Sequence, residues 1–118
     1  PVVFAKKSPA ANQSADMLTA VAHSFTHGND NALRVDRRYL PAGSRVLVVD
    51  DFLADGEASR ALISIAEQAG CTLVGVGIAV EKGFQPGGRK LREAGVNLKS
   101  LAIVTSIQDG RIQLADDD

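Results

Sequence analysis

Val46-Leu47-Val48-Val49-Asp50-Asp51-Phe52-Leu53-Ala54-Asp55-Gly56-Glu57-Ala58 is the stretch from which the fold can be read. Its four leading aliphatic residues, Val46 to Val49, predict a strand buried on both faces. Two carboxylates, Asp50 and Asp51, follow where that strand is expected to end. A short loop containing Gly56 then leads into a helical pattern from about Glu57. In an open α/β sheet, ligands bind beyond the carboxyl ends of the strands, so a site is expected at this junction. A helix N-terminus offers free N–H groups and the positive end of a dipole, which suit a phosphate. Adjacent acids supply acceptors for sugar hydroxyls and can sit near a magnesium ion. The junction reads as a phosphate cradle beside a ribose binder; the bland reading is an ordinary strand-to-helix turn with a capping acid.

Downstream, Ala58, Ala61, Leu62, Ile65, Ala66 and Ala69 recur at helical spacing and predict one apolar helix face, stopped by Gly70. Thr72–Val80 predicts a second strand, giving a strand–helix–strand unit with a parallel crossover. Glu81 and Lys82 stand at its carboxyl end. Gly87–Ala94 predicts a short basic helix closing at Gly95, and Leu98–Ile107 a third strand. Asp109-Gly110 is a hairpin signal, so an antiparallel edge strand is expected around Ile112.

Upstream, Val2–Ala5 predicts a short buried strand that exits on Lys6 and Lys7. Ser8–Ser14 is a polar loop with a proline. Met17–Thr26 and Leu33–Asp36 flank the turn formers His27–Asn31, which predicts a hairpin with a long loop. A helix over Asp16–Ser24, capped by Ser14, competes with it. His23 and His27 are four apart, a spacing that could bind zinc on a helix, but no third ligand completes a set and no metal site is assigned to them. Tyr39–Ser44, with Pro41 and Gly43, is a turn into the central strand. Asp116–Asp118 reads as a frayed acidic tail.

With 118 residues the chain is one domain's worth, and its 11 glycines suit an α/β chain rich in turns. A net charge of −1 gives no bulk attraction to nucleic acid or an anionic membrane. No apolar run approaches the ~20 residues of a membrane span. The one cysteine, Cys71, cannot form an internal disulfide, which fits a reducing cytoplasm. It reads as a small buried hydrophobe.

Val46–Ala58 resembles the phosphoribosyl-diphosphate (PRPP) motif of type I phosphoribosyltransferases: a hydrophobic strand, two acids, then a loop of small residues. Many members carry Thr or Ser in that loop, where this chain has Asp55 and Ala58, which points to the xanthine branch. Val80-Glu81-Lys82-Gly83-Phe84-Gln85-Pro86-Gly87 looks like the xanthine branch's segment after the next strand. The resemblance covers nearly the whole chain. It implies a mostly parallel twisted sheet flanked by helices, with a flap hairpin and an antiparallel edge strand, in one phosphoribosyltransferase domain over residues 1–118. It also places a further segment with a diphosphate-binding loop ahead of Pro1, making the chain the C-terminal portion of the family's.

The function implied is transfer of the phosphoribosyl group of PRPP to xanthine, with Mg2+ arriving on PRPP. Asp50 and Asp51 would hold the ribose hydroxyls, and Ala54, Asp55, Gly56, Glu57 and Ala58 the 5′-phosphate. Lys82 would meet an exocyclic oxygen of the purine, since an ammonium donor favours a 6-oxo over a 6-amino base. Phe84 is a candidate to stack on the ring, and Lys6 and Lys7 are candidates for diphosphate. Neither nucleic acid nor membrane is an expected partner, and the family pattern implies a cytoplasmic homodimer. The alternatives are a salvage enzyme for guanine, hypoxanthine or adenine, or a PRPP-sensing regulator that keeps the fold without the chemistry.

Overall fold

The structure, a computed structural model, describes residues 1–9, 16–23 and 31–115. In chain order it comprises β1 (Lys6–Pro9), β2 (Met17–Ala22), β3 (Asn31–Asp36), a 3-10 turn (Arg37–Tyr39), β4 (Arg45–Leu53), α1 (Glu57–Gln68), β5 (Thr72–Lys82), α2 (Gly87–Glu93), β6 (Leu98–Gln108) and β7 (Arg111–Leu114). These form two compact units: Pro1–Val46 with Glu57–Val74, and Leu47–Gly56 with Gly75–Asp118.

The first unit holds an antiparallel sheet in the order β1-β3-β2. The expected hairpin is present in its strands, which pair from Met17 with Asp36 to Ala22 with Asn31. The competing helix is therefore not formed over Met17–Ala22. Leu18 and Ala20 of β2, and Leu33 and Val35 of β3, keep a strand's two-residue spacing and meet Ile65 of α1 and Ala69 just after it in one core. Gln68 Nε2 donates to the Thr19 carbonyl at 2.9 Å and fastens the end of α1 to β2. Gly70, at φ +75°, closes the helix: its N–H donates to Glu67 O and that of Cys71 to Ala66 O. Cys71 is half-buried against this core, in keeping with its reading as a small hydrophobe.

Two expectations are corrected in this unit. Val2–Ala5 is not a strand, and Val2 and Phe4 are exposed; the pairing begins at Lys6, opposite Arg34. In this register Val35 and Asp36 would stand opposite Ala5 and Phe4, and β3 ends at Asp36, whose carboxylate accepts from the Arg38 N–H and caps the 3-10 turn, so Val2 and Val3 have no residue of β3 to pair with. On α1, Ala58 is exposed while Ser59 is buried, so the apolar face starts one residue away from where the spacing put it. Most of the Ser8–Ser14 loop, the His27 end of the histidine pair with most of its turn cluster, and the tail Asp116–Asp118 lie outside the described residues.

The second sheet has the order β4-β5-β6-β7. β5 and β6 run parallel, with Val76 opposite Leu98 and Lys82 opposite Val104. β7 returns antiparallel as the edge strand after Asp109 and Gly110, both at positive φ, as a two-residue hairpin turn requires. β4 departs from expectation. It continues to Leu53, so Asp50 and Asp51 lie within the strand, and it is not buried on both faces: Val49 is 70% exposed while Val48 is buried. An apolar run signals a strand; it does not say how many of its faces are covered.

Candidate functional site

Four short pieces of the second unit meet in space: the end of β4, the loop Ala54–Gly56, the end of β5, and the first residues of α2. Along β4, the Asp51 N–H donates to Asp50 Oδ1 at 2.9 Å and the Phe52 N–H to Asp51 Oδ1 at 2.7 Å. Burial, joined by repulsion from the neighbouring Asp51 carboxyl, pushes Asp50 above the ordinary aspartate value, against the pull of the Asp51 N–H. Two adjacent carboxylates near the end of β4 supply the acceptors that a diol requires.

Gly56 has φ +86°, a conformation L side chains rarely adopt, and a Cβ there would come within 3.1 Å of Gly87 Cα. The other half of this contact is tighter. A Cβ at Gly87 would lie 2.6 Å from Ala54 O and 2.6 Å from Gly56 N, and the Gly87 N–H donates to Ala54 O at 2.9 Å. The loop thus rests backbone to backbone on the start of α2, and no side chain fits between them.

Lys82 lies half-buried at the end of β5, its Nζ 5.9 Å from the centre of the Phe52 ring. Phe52 lies within Val46–Ala58, but nothing in the spacing of that stretch marks it as facing Lys82. Phe84 is about half exposed on the following turn. Glu81 does not pair with the adjacent Lys82. It faces α2 instead, where Oε2 accepts from Arg92 Nη1 and Oε1 from Arg92 Nη2, both at 2.8 Å. Ser100 Oγ donates to the same Oε1 at 2.6 Å. These bonds hold the Glu81 carboxyl below its usual range, the Arg92 pair foremost, although burial opposes them. No spacing in the sequence ties Glu81 to Arg92 or Ser100, so this cluster was not legible there.

The remaining predicted residues belong to the first unit. Glu57 and Ala58 form the first turn of α1, with Glu57 Oε1 3.8 Å from Arg60 Nη1. Lys6 and Lys7 are exposed on β1. Among the described residues no three His, Cys, Asp or Glu side chains cluster as a metal cage would require. The concavity lined by Ser106, Gln108, Asp109, Arg111 and Gln113 follows the β6–β7 hairpin and contains none of the predicted site residues.

The sequence is 47% identical to the xanthine phosphoribosyltransferase of Ruminiclostridium cellulolyticum over 116 residues, 98% of this chain and 61% of that protein. It is 49% identical to the xanthine phosphoribosyltransferase of Bifidobacterium adolescentis over 115 residues, 96% of this chain and 60% of that one. The fold matches the crystal structure of adenine phosphoribosyltransferase from Thermoanaerobacter pseudethanolicus with a TM-score of 0.67 at 25% identity, covering 85% of this chain and 55% of that one. Over nearly its whole length the chain is similar in sequence and in fold to phosphoribosyltransferases. No family model matches it. It spans about 60% of the length of the curated relatives it matches. No described helix is long and apolar enough to cross a membrane.

Proposed function

We propose that the chain is the ribose-, phosphate- and base-binding part of a purine-salvage enzyme that transfers the 5-phosphoribosyl group of PRPP to N9 of xanthine, giving XMP and diphosphate. The observation that carries this is the 47% identity, over 116 residues, to a protein named xanthine phosphoribosyltransferase. That span necessarily includes Val46–Ala58 and Lys82. Residues 1–118 form one phosphoribosyltransferase domain in this reading.

Asp50 and Asp51 accept from the ribose hydroxyls, and the backbone of Ala54, Asp55 and Gly56, continuing into Glu57 and Ala58, receives the 5′-phosphate. Lys82 donates to an oxygen of the base, with Phe84 against the ring and Lys6 and Lys7 as diphosphate ligands. The N9–C1′ bond forms as the C1′–O bond to diphosphate breaks; the electron pair leaves with diphosphate and the purine proton passes to solvent. Positioning and charge stabilisation supply the rate, with no covalent intermediate on the protein.

The donor set fits magnesium only as a shared ion. Mg2+ keeps several waters and is bound through one or two carboxylates plus substrate phosphate oxygens, and Asp50 and Asp51 could supply that share. When bound, the ion neutralises charge on PRPP. A cytoplasmic homodimer completes the reading. The test is turnover of PRPP with xanthine, guanine, hypoxanthine or adenine in the full-length protein. Xanthine should rank first and adenine last; absence of XMP formation would overturn the assignment.

A further inference from the structure

Glu81 is 3% exposed, the deepest charged residue among those described, and its side-chain hydrogen-bond partners, Arg92 and Ser100, are not assigned to substrate. A charge so buried is tolerated where it is paired and hydrogen-bonded, and Arg92 and Ser100 meet both conditions. What the pair holds is α2. That helix has only seven residues and no side-chain bond at its N-cap, Pro86, so neither its length nor its cap sets its position. Buried Leu91 gives it one apolar anchor, and Arg92, the next residue, gives it the Glu81 clamp. At its start, two glycines are each closely packed. Gly87 has no room for a Cβ because of the loop backbone at Ala54–Gly56, and Gly88 has none because of the Glu81 carboxylate. Displacing α2 would therefore displace the loop.

Resting on the phosphoribosyltransferase reading above, we propose that Glu81 is a positioning residue: by clamping Arg92 and Ser100 it fixes α2, so that Gly87 holds the Ala54–Gly56 loop in its phosphate-receiving shape. Adjacent strand residues point to opposite faces, so Glu81 grips α2 while Lys82, next in the chain, turns toward Phe52. One strand end thus carries both the base-reading lysine and the clamp on the phosphate loop, which couples the two ends of a bound nucleotide.

The test uses Arg92→Gln and Arg92→Lys in the full-length protein, because Arg92 is 42% exposed and its replacement leaves the core packing in place. The first readout needs no ligand: hydrogen exchange at the Gly87 amide, whose partner is Ala54 O. Exchange should quicken in Arg92→Gln. The second is affinity for ribose 5-phosphate by calorimetry, with KM for PRPP measured beside kcat. Affinity should fall and KM rise by roughly tenfold, short of the ~100-fold that a 1 Å misplacement can cost, with kcat changed less. Arg92→Lys, which keeps the charge but not the two-pronged geometry, should recover part of the loss. Unchanged Gly87 exchange, or unchanged ribose 5-phosphate affinity per folded molecule, overturns the proposal. A wild-type protein that ignores ribose 5-phosphate while Gly87 still responds to Arg92→Gln overturns the phosphoribosyltransferase reading instead, and leaves the mechanical coupling standing.

Discussion

At Asp50 stability opposes the proposed function, whereas at Gly56 the two run together. Asp50 has a raised pKa, so any stability it contributes is present below its unfolded value and is lost as pH rises through the folded one. At neutral pH its ionised form works against the fold. Asp50→Asn should therefore leave the protein as stable at pH 7 or more so, while turnover falls sharply because the diol loses a charged acceptor. Thermal melts beside steady-state rates check this, and a loss of stability matching the loss of rate would make Asp50 a structural cap instead. At Gly56 both the positive φ and the contact with Gly87 oppose a side chain. A non-glycine residue in that conformation costs about 1–2 kcal/mol. The Gly87 backbone cannot swing aside as a side chain would. Gly56→Val should unfold at lower urea and bind ribose 5-phosphate more weakly; calorimetry on the folded fraction separates the two effects. Lys82→Ala should flatten the preference for xanthine over adenine more than it alters the requirement for PRPP. A site built to pair with specific oxygens rejects an analogue lacking them by up to about 10⁴–10⁵-fold. A base ranking indifferent to Lys82 would show that the pocket has been misassigned.

At the scale of elements, the legible features were those governed by local chemistry. Gly70 and Gly95 each end a helix in the left-handed conformation, and Asp109-Gly110 makes its turn, because backbone sterics leave few alternatives. The β2–β3 hairpin followed from the turn formers between its strands. What stayed hidden depends on pairing and cover, which a local pattern does not encode. Val2–Ala5 is as apolar as a strand, but β3 ends at Asp36, which leaves Val2 and Val3 nothing to pair with. In the proposed site, the roles given to the Ala54–Gly56 loop and to Lys82 rest on residue type and spacing, whereas the contact of Gly87 with Ala54–Gly56 and the Glu81–Arg92–Ser100 cluster join separate segments of the chain and show only in the structure. That cluster makes its own prediction. The Glu81 pKa is depressed below its ordinary 4.5, so its contribution to stability is present above that value and is lost as pH falls through the lower, folded one. Glu81→Gln should flatten the acid limb of a plot of stability against pH, and urea unfolding at a series of pH values would show it. An acid limb of unchanged slope would mean that the pair contributes nothing to the fold.

At the scale of the whole molecule, the apolar side chains on the second sheet carry the last prediction. Leu101 is 86% exposed, Val49 70% and Ile112 62%. Among the described residues β7 pairs only with β6, so exposed apolar residues and an edge strand occur in the same sheet. Scattered exposed hydrophobes are ordinary on a monomer, but several on neighbouring strands favour association. The 118-residue chain, produced alone, should therefore bind a hydrophobic dye and associate in solution. Leu101→Lys tests this cleanly. So exposed a side chain contributes little to packing, and a surface change of this kind usually shifts stability by no more than about 0.5 kcal/mol. Sedimentation of the variant should show less association and weaker dye binding at unchanged melting temperature. A parent chain that sediments as a monomer without binding dye would mean that these residues find cover within the fold. A variant that loses stability by several times that margin would mean that Leu101 packs against something in solution.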